Sequence, residues 1–170
     1  MTAANTAMGE PSRPADAQSG RLRIGLAASA GGHLFQLQQL KPVYEKYDHF
    51  YFTFSGPKAT ELKASHRVSS IPNIVRSNPW SWVRGCWLSL RVALKERPDV
   101  VLTTGAGVVV FFCLWSKLLG ARIVYIESLA KVRTPTLTAR LLYPFADRFF
   151  VQWPELTHSF PKARYHGRLL

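Results

Sequence analysis

Short apolar runs with no helical period alternate along this chain with segments whose leucines recur every three or four positions. Arg21–Ala28 (RLRIGLAA) reads as a first strand ending in Ser29-Ala30-Gly31-Gly32, and His33–Glu45 as a helix carrying Leu34, Leu37 and Leu40 on one side. Asp48–Phe54 (DHFYFTF) and Arg67–Ile71 predict the second and third strands, with a short helix at Lys58–Ser65 between them. A long helix is predicted at Trp80–Glu96, then a strand at Asp99–Thr104 and a helix at Val108–Leu119. A fifth strand at Arg122–Ile126, a helix at Thr136–Tyr143 and a sixth strand at Arg148–Val151, with Pro154–Phe160 behind it, complete the series. Apolar strands alternating with helices imply an α/β fold, a Rossmann-like parallel sheet with helices on both faces. Ligands of such sheets bind at the carboxyl ends of the strands. That directs attention to the loops Ser29–His33, Gly105–Gly107 and Glu127–Arg133.

The 170 residues are 47% hydrophobic and 19% charged, enough for one core, and divide into a disordered leader over 1–20 and a single domain over 21–170. The leader has neither a basic cluster nor an apolar stretch and is no signal peptide. Val100 to Ser116 carries no charge, but a bilayer span needs about 20 predominantly apolar residues. Thr103-Thr104-Gly105-Ala106-Gly107 interrupts the run, which favours a buried strand, a glycine turn and a buried helix over a membrane span. Two cysteines, Cys86 and Cys113, exclude a disulfide scaffold and a cysteine-based zinc site. Lys and Arg number 22 against 10 Asp and Glu, a net charge of +12. The leader holds Arg13 against Glu10 and Asp16, a balance of minus one, so the domain itself carries about +13. Such a body seeks an anionic partner. Nucleic acid is not that partner by pattern: the basic residues are dispersed and no helix-turn-helix, RRM, KH or zinc motif is present.

Several constellations carry candidate chemistry. In Ser29-Ala30-Gly31-Gly32-His33 the glycines admit a ligand close to the backbone, and free N–H groups at a helix start attract phosphate. His33 at that start is disfavoured as imidazolium; as a neutral ring it suits a general base, or else it only caps the turn. Gly105 and Gly107 offer a second N–H cradle, or tight packing of helix on sheet. Glu127, directly after a strand, is placed for a base role or for an ion pair with Lys131 or Arg133, and those two cations equally suit a diphosphate. On the long helix, Trp80, Val83, Trp87, Leu90 and Leu94 form a stripe expected to face the sheet. Trp80, Trp82 and Trp87 beside Arg84 and Arg91 also suit the headgroup zone of an anionic membrane. Gln152-Trp153-Pro154-Glu155, after the sixth strand, reads only as a packed loop.

LAASAGGHLFQLQQL, PDVVLTTGAG and IVYIESLAKVRTPTLTARLLYPFADRFFVQWPEL, with HGRLL behind them, resemble the PssD-type subunits of bacterial polysaccharide glycosyltransferases. The same blocks resemble their eukaryotic counterpart, the membrane-bound subunit of the dolichyl-diphosphate N-acetylglucosamine transferase. More distantly they are similar to the N-terminal, acceptor-side domain of MurG. The likeness runs from about Arg23 to the end. It implies the N-terminal, acceptor half of a GT-B glycosyltransferase split over two chains, acting in exopolysaccharide or capsule synthesis. A separate PssE-like chain would bind the UDP-sugar donor. This chain would take the polyprenyl-diphosphate-linked acceptor and lie peripherally on the cytoplasmic face of the inner membrane. The polar leader departs from the eukaryotic subunit, which begins with a transmembrane helix.

By position, Gly31, Gly32 and His33 fall on the glycine loop that meets the acceptor diphosphate in MurG-like enzymes, and Glu127 falls in the family's ES motif. The expectation is therefore inverting transfer with His33 as base and Glu127 in the catalytic set. Gly31, Gly32, Gly105, Gly107, Lys131 and Arg133 would hold the diphosphate, and Trp80, Trp82, Arg84, Trp87 and Arg91 would meet the membrane. No metal is expected, and no cofactor beside the UDP-sugar substrate. The competing expectation is a non-catalytic membrane scaffold that recruits and activates the catalytic subunit.

Overall fold

The computed structural model describes residues 22–169 apart from 76 and 108. The leader expected over 1–20 lies outside the described residues. Among the described residues seven strands form one sheet, parallel throughout, in the order β3-β2-β1-β4-β5-β6-β7. They are β1 Arg23–Ala28, β2 Asp48–Phe54, β3 Val68–Ile71, β4 Val100–Gly105, β5 Arg122–Ile126, β6 Arg148–Val151 and β7 Arg164–Tyr165. The helices are α1 Gly32–Gln38, α2 Lys41–Tyr44, α3 Pro57–Lys63, α4 Pro79–Glu96, α5 Val109–Leu118 and α6 Leu137–Leu142, with a 3₁₀ turn at Pro154–His158. The helix expected over His33–Glu45 breaks into α1 and α2 because Pro42 enters the first turn of α2, where its ring and missing N–H end any continuous helix.

The alternation of side chains along each strand divides the core in two. Phe50, Phe52, Val101, Ile123 and Tyr125 point to the face covered by α4, α5 and α6. Leu26, Tyr51, Leu102 and Ile126 point to the face covered by α1, α2 and α3. The middle strands are therefore apolar on both sides, which is why their sequences run hydrophobic instead of alternating. Phe112 of α5 stacks on Phe52 with ring centroids 4.2 Å apart, and Tyr125 stacks on Phe149 at 4.7 Å.

Helix α4 starts on a side-chain cap: the Asn78 carboxamide oxygen accepts the Trp80 N–H at 3.0 Å, with Pro79 opening the first turn. Its orientation reverses the expectation from the sequence. The residues it buries are Gly85, Ser89, Ala93 and Glu96, whereas Trp80 is 78% exposed, Trp87 60% and Val83 58%, with Leu94 also outward. The cause is steric. A Cβ on Gly85 would lie 2.5 Å from Ile74 Cδ1, so the helix packs through its small residues at close range and turns its large apolar stripe to solvent. Among the described residues no helix is long and apolar enough to cross a membrane.

Candidate functional site

The strand order reverses between β1 and β4, the central pair, and the loops that leave their carboxyl ends flank the switch point where doubly wound sheets take their ligands. After β1, Gly31 has φ +96 and is the N-cap of α1. A Cβ on Gly31, Gly32 or Gly107 would meet nothing within 4 Å, so these three positions face open space. His33 lies in the first turn of α1, half-buried, and its Nδ1 is 2.7 Å from the Thr104 carbonyl oxygen at the end of β4. A carbonyl only accepts, so Nδ1 carries a proton, and in the neutral ring the lone pair then lies on Nε2. Thr104 Oγ1 returns a hydrogen bond to the His33 carbonyl, also at 2.7 Å. This reciprocal pair clamps the start of α1 onto β4 and fixes the imidazole as the tautomer whose Nε2 can accept a proton.

The two glycines after β4 have different functions. Gly105 is buried at φ +94, and a Cβ there would come within 2.8 Å of the Tyr125 hydroxyl. Gly105 thus packs closely against Tyr125, whereas Gly107 faces open space. Ala106 between them sits at φ +126, a region that costs a residue with a Cβ about 1–3 kcal/mol. That strain is stored at the mouth of the switch point.

Glu127 follows β5 and has no exposed surface. Its carboxylate accepts from Ser128 N at 2.8 Å, Thr136 N at 3.1 Å, Thr136 Oγ1 at 3.1 Å and the Tyr125 hydroxyl at 3.5 Å. Thr136 Oγ1 in turn accepts the Ala139 N–H at 3.0 Å, capping α6. Burial first, and then the Glu127 charge, push the Tyr125 phenol well above its ordinary range, so it stays a donor. The carboxylate thus closes the 127–136 loop from inside. It pairs with neither Lys131 nor Arg133, and its side chain is wholly enclosed by the loop it holds. Lys131 and Arg133 are exposed on this loop, with no ion pair among the described residues.

Helix α4 runs back from the carboxyl end of β3, so Trp80 and Trp82 stand at the same sheet edge as these loops. Trp82 meets Phe111 of α5 edge-on at 6.1 Å, one turn beyond Gly107. Trp80, Trp82, Arg84, Trp87 and Arg91 are all exposed, as a surface role requires. Three contributors had no sequence signal: Thr104, and the buried amides Gln36 and Gln152. The Gln36 Oε1 accepts from Leu129 N at 3.0 Å and from Gln152 Nε2 at 2.7 Å, joining α1 to the 127–136 loop and to β6. Among the described residues no group of three or more His, Cys, Asp or Glu is arranged to hold a metal ion.

An all-parallel Rossmann-like sheet with glycine loops at its switch point is the half-domain architecture of GT-B glycosyltransferases and of the sugar-nucleotide epimerases built like them. Acinetobacter baumannii MurG superposes with a TM-score of 0.67 over 79% of this chain and 42% of its own, at 18% identity. The UDP-N-acetylglucosamine 2-epimerase of Rickettsia bellii superposes with a TM-score of 0.69 over 88% of this chain and 45% of its own, at 13% identity. The model of the family described as "Oligosaccharide biosynthesis protein Alg14 like" matches residues 45–169, and the chain belongs to that family. The human UDP-N-acetylglucosamine transferase subunit ALG14 is 33% identical over 114 residues, 62% of this chain and 53% of its own length. Its Kluyveromyces lactis counterpart is 34% identical over 138 residues, 76% of this chain and 52% of its own. The chain thus spans about half the length of these relatives.

Proposed function

We propose that this chain is the acceptor half of a two-chain UDP-sugar glycosyltransferase of the PssD type, extending polyprenyl-diphosphate-linked glycans for exopolysaccharide or capsule. The observation that carries the reading is the His33–Thr104 clamp, which leaves a fixed imidazole Nε2 at the switch point beside open glycine loops. The Nε2 takes the proton of the acceptor hydroxyl as that oxygen bonds to the anomeric carbon. The bond from that carbon to the UDP oxygen breaks on the opposite side, and UDP leaves with the electron pair, so the configuration inverts. General-base assistance of this kind contributes about 10²–10⁴ in rate. Backbone N–H groups around Gly31, Gly32 and Gly107, with Lys131 and Arg133, hold the acceptor diphosphate, and Glu127 keeps their loop in shape.

A PssE-like partner chain supplies the donor lobe. Relatives named as UDP-N-acetylglucosamine transferase subunits make UDP-N-acetylglucosamine the first donor to test. The outward tryptophans of α4, flanked by Arg84 and Arg91 at the same sheet edge as the loops, support peripheral docking on the anionic cytoplasmic face of the inner membrane. There the lipid tail of the acceptor stays in the bilayer while its diphosphate reaches the glycine loops.

The test is calorimetric titration with UDP and UDP-sugars. The reading expects no binding to this chain alone, and binding with transfer once the partner chain is added. Tight binding to the isolated chain would assign it a donor site and refute the split. Transfer that survives His33→Gln unchanged would favour the non-catalytic scaffold.

A further inference from the structure

Two short segments distant in sequence meet on one residue. Leu129, two positions before Lys131, has both of its backbone groups held by side chains: its N–H goes to Gln36 Oε1 at 3.0 Å, and its carbonyl accepts the Trp153 indole N–H at 2.6 Å. Both holders are tied to the C-terminal segment. The Leu169 N–H donates to Gln152 Oε1 at 2.9 Å, while the Nε2 of that same amide donates to Gln36 Oε1 at 2.7 Å and to the Glu127 carbonyl at 2.9 Å. The Arg168 guanidinium stacks 3.8 Å from the Trp153 ring centre. Gln152 is 2% exposed and Gln36 7%, so neither amide has water as a ready substitute partner.

We propose that Gln152 and Trp153 are positioning residues through which the seated C-terminal segment, His166–Leu169, sets the loop that carries Lys131 and Arg133. The chemistry is directional. Gln152 spends its Oε1 on the segment and its Nε2 on the loop and α1, so a rotated amide satisfies neither side. When the segment is seated, Gln36 is held in place to accept the Leu129 N–H. When it lifts, Gln152 loses one anchor, Trp153 loses the cation over its face, and both grips on Leu129 loosen together. Leu129 lies two positions from Lys131 and four from Arg133, the cations proposed for the acceptor diphosphate. The kinetic consequence rests on that reading; the structural coupling does not.

The experiment is amide hydrogen exchange at Leu129 in the full chain, with variants that separate the links. Gln152→Met keeps the volume and removes the amide. Leu169→Pro removes the N–H that reaches Gln152, together with a leucine side chain packed on the core beside α1. Each is expected to speed Leu129 exchange about tenfold, the equivalent of one buried hydrogen bond, with core amides such as Leu26 unchanged. The double variant exchanges no faster than either single one, because the two act on one chain of contacts. Gln36→Glu, which keeps the acceptor oxygen, retains protection that Gln36→Met loses. Additive effects of Gln152→Met and Leu169→Pro, or no change at Leu129 in either, would overturn the coupling. In the complex with the donor-binding chain, Leu169→Pro raises the acceptor KM about tenfold with kcat within twofold. If the exchange result holds while KM does not move, the coupling stands and the diphosphate role of the loop fails.

Discussion

Glu127→Gln separates a positioning carboxylate from a chemical one. In the native protein both oxygens accept: one from Ser128 N and Tyr125, the other from Thr136 N, with the Thr136 hydroxyl donating between them. Glutamine keeps one oxygen and turns the other into an N–H₂ group facing a backbone N–H, donor against donor. At least one charge-assisted hydrogen bond is lost, at about 1.5–3 kcal/mol, and one buried N–H is left unsatisfied, for a total of about 3 kcal/mol. The residue has no exposed surface, so no solvent screening reduces that figure. For a domain of this size about 3 kcal/mol lowers the melting temperature by about 6–12 °C. Thermal and urea unfolding measure the loss directly, and transfer assayed well below the new midpoint is expected to keep about the wild-type kcat. A variant as stable as wild type but devoid of transfer would instead give Glu127 a part in the chemistry.

Three further outcomes follow from the geometry. Replacing Trp80 and Trp87 with serine leaves the melting temperature unchanged, because both are largely exposed. If about 60 Å² of each ring leaves water on docking, the pair contributes about 3 kcal/mol, and binding to anionic vesicles falls about a hundredfold in a sedimentation assay. Gly105→Ala forces a Cβ to φ +94 and against a Tyr125 ring stacked on Phe149, and is expected to destabilise by about 2–4 kcal/mol in urea unfolding. Asp48 is partly buried, which alone would raise its pKa. The Arg23 hydrogen bond at 2.8 Å and the Arg67 charge outweigh burial and hold it below the ordinary carboxylate value. Its contribution is therefore full above the unfolded value and lost as pH falls through the folded one, so Asp48→Asn flattens the acid limb of stability measured from pH 7 downward.

The sheet was legible because buried parallel strands are apolar on both faces, so that segments such as DVVLTT and RIVYI declare themselves without reference to partners. The His33 loop was legible too, since glycines at a strand end followed by a helix are a local pattern. What α4 does was not. Amphipathicity counts large apolar side chains, whereas the fit of Gly85 against Ile74 is a matter of shape that only the packed structure supplies. At Glu127 the position after β5 was visible in the sequence and the four donors around its carboxylate were not. Gln36 and Gln152 stayed hidden for the same reason: their contacts join residues 93 and 116 positions apart, and a lone glutamine in a sequence announces no partner.

Transfer by the reconstituted two-chain complex decides whether His33 is the base proposed for the β1–β4 switch point. For His33→Gln, in a complex that assembles and melts like wild type, kcat is expected to fall by about 10²–10⁴ with the acceptor KM nearly unchanged. A variant whose kcat stays within about twofold of wild type would contradict the account and leave this chain a scaffold for chemistry performed by its partner.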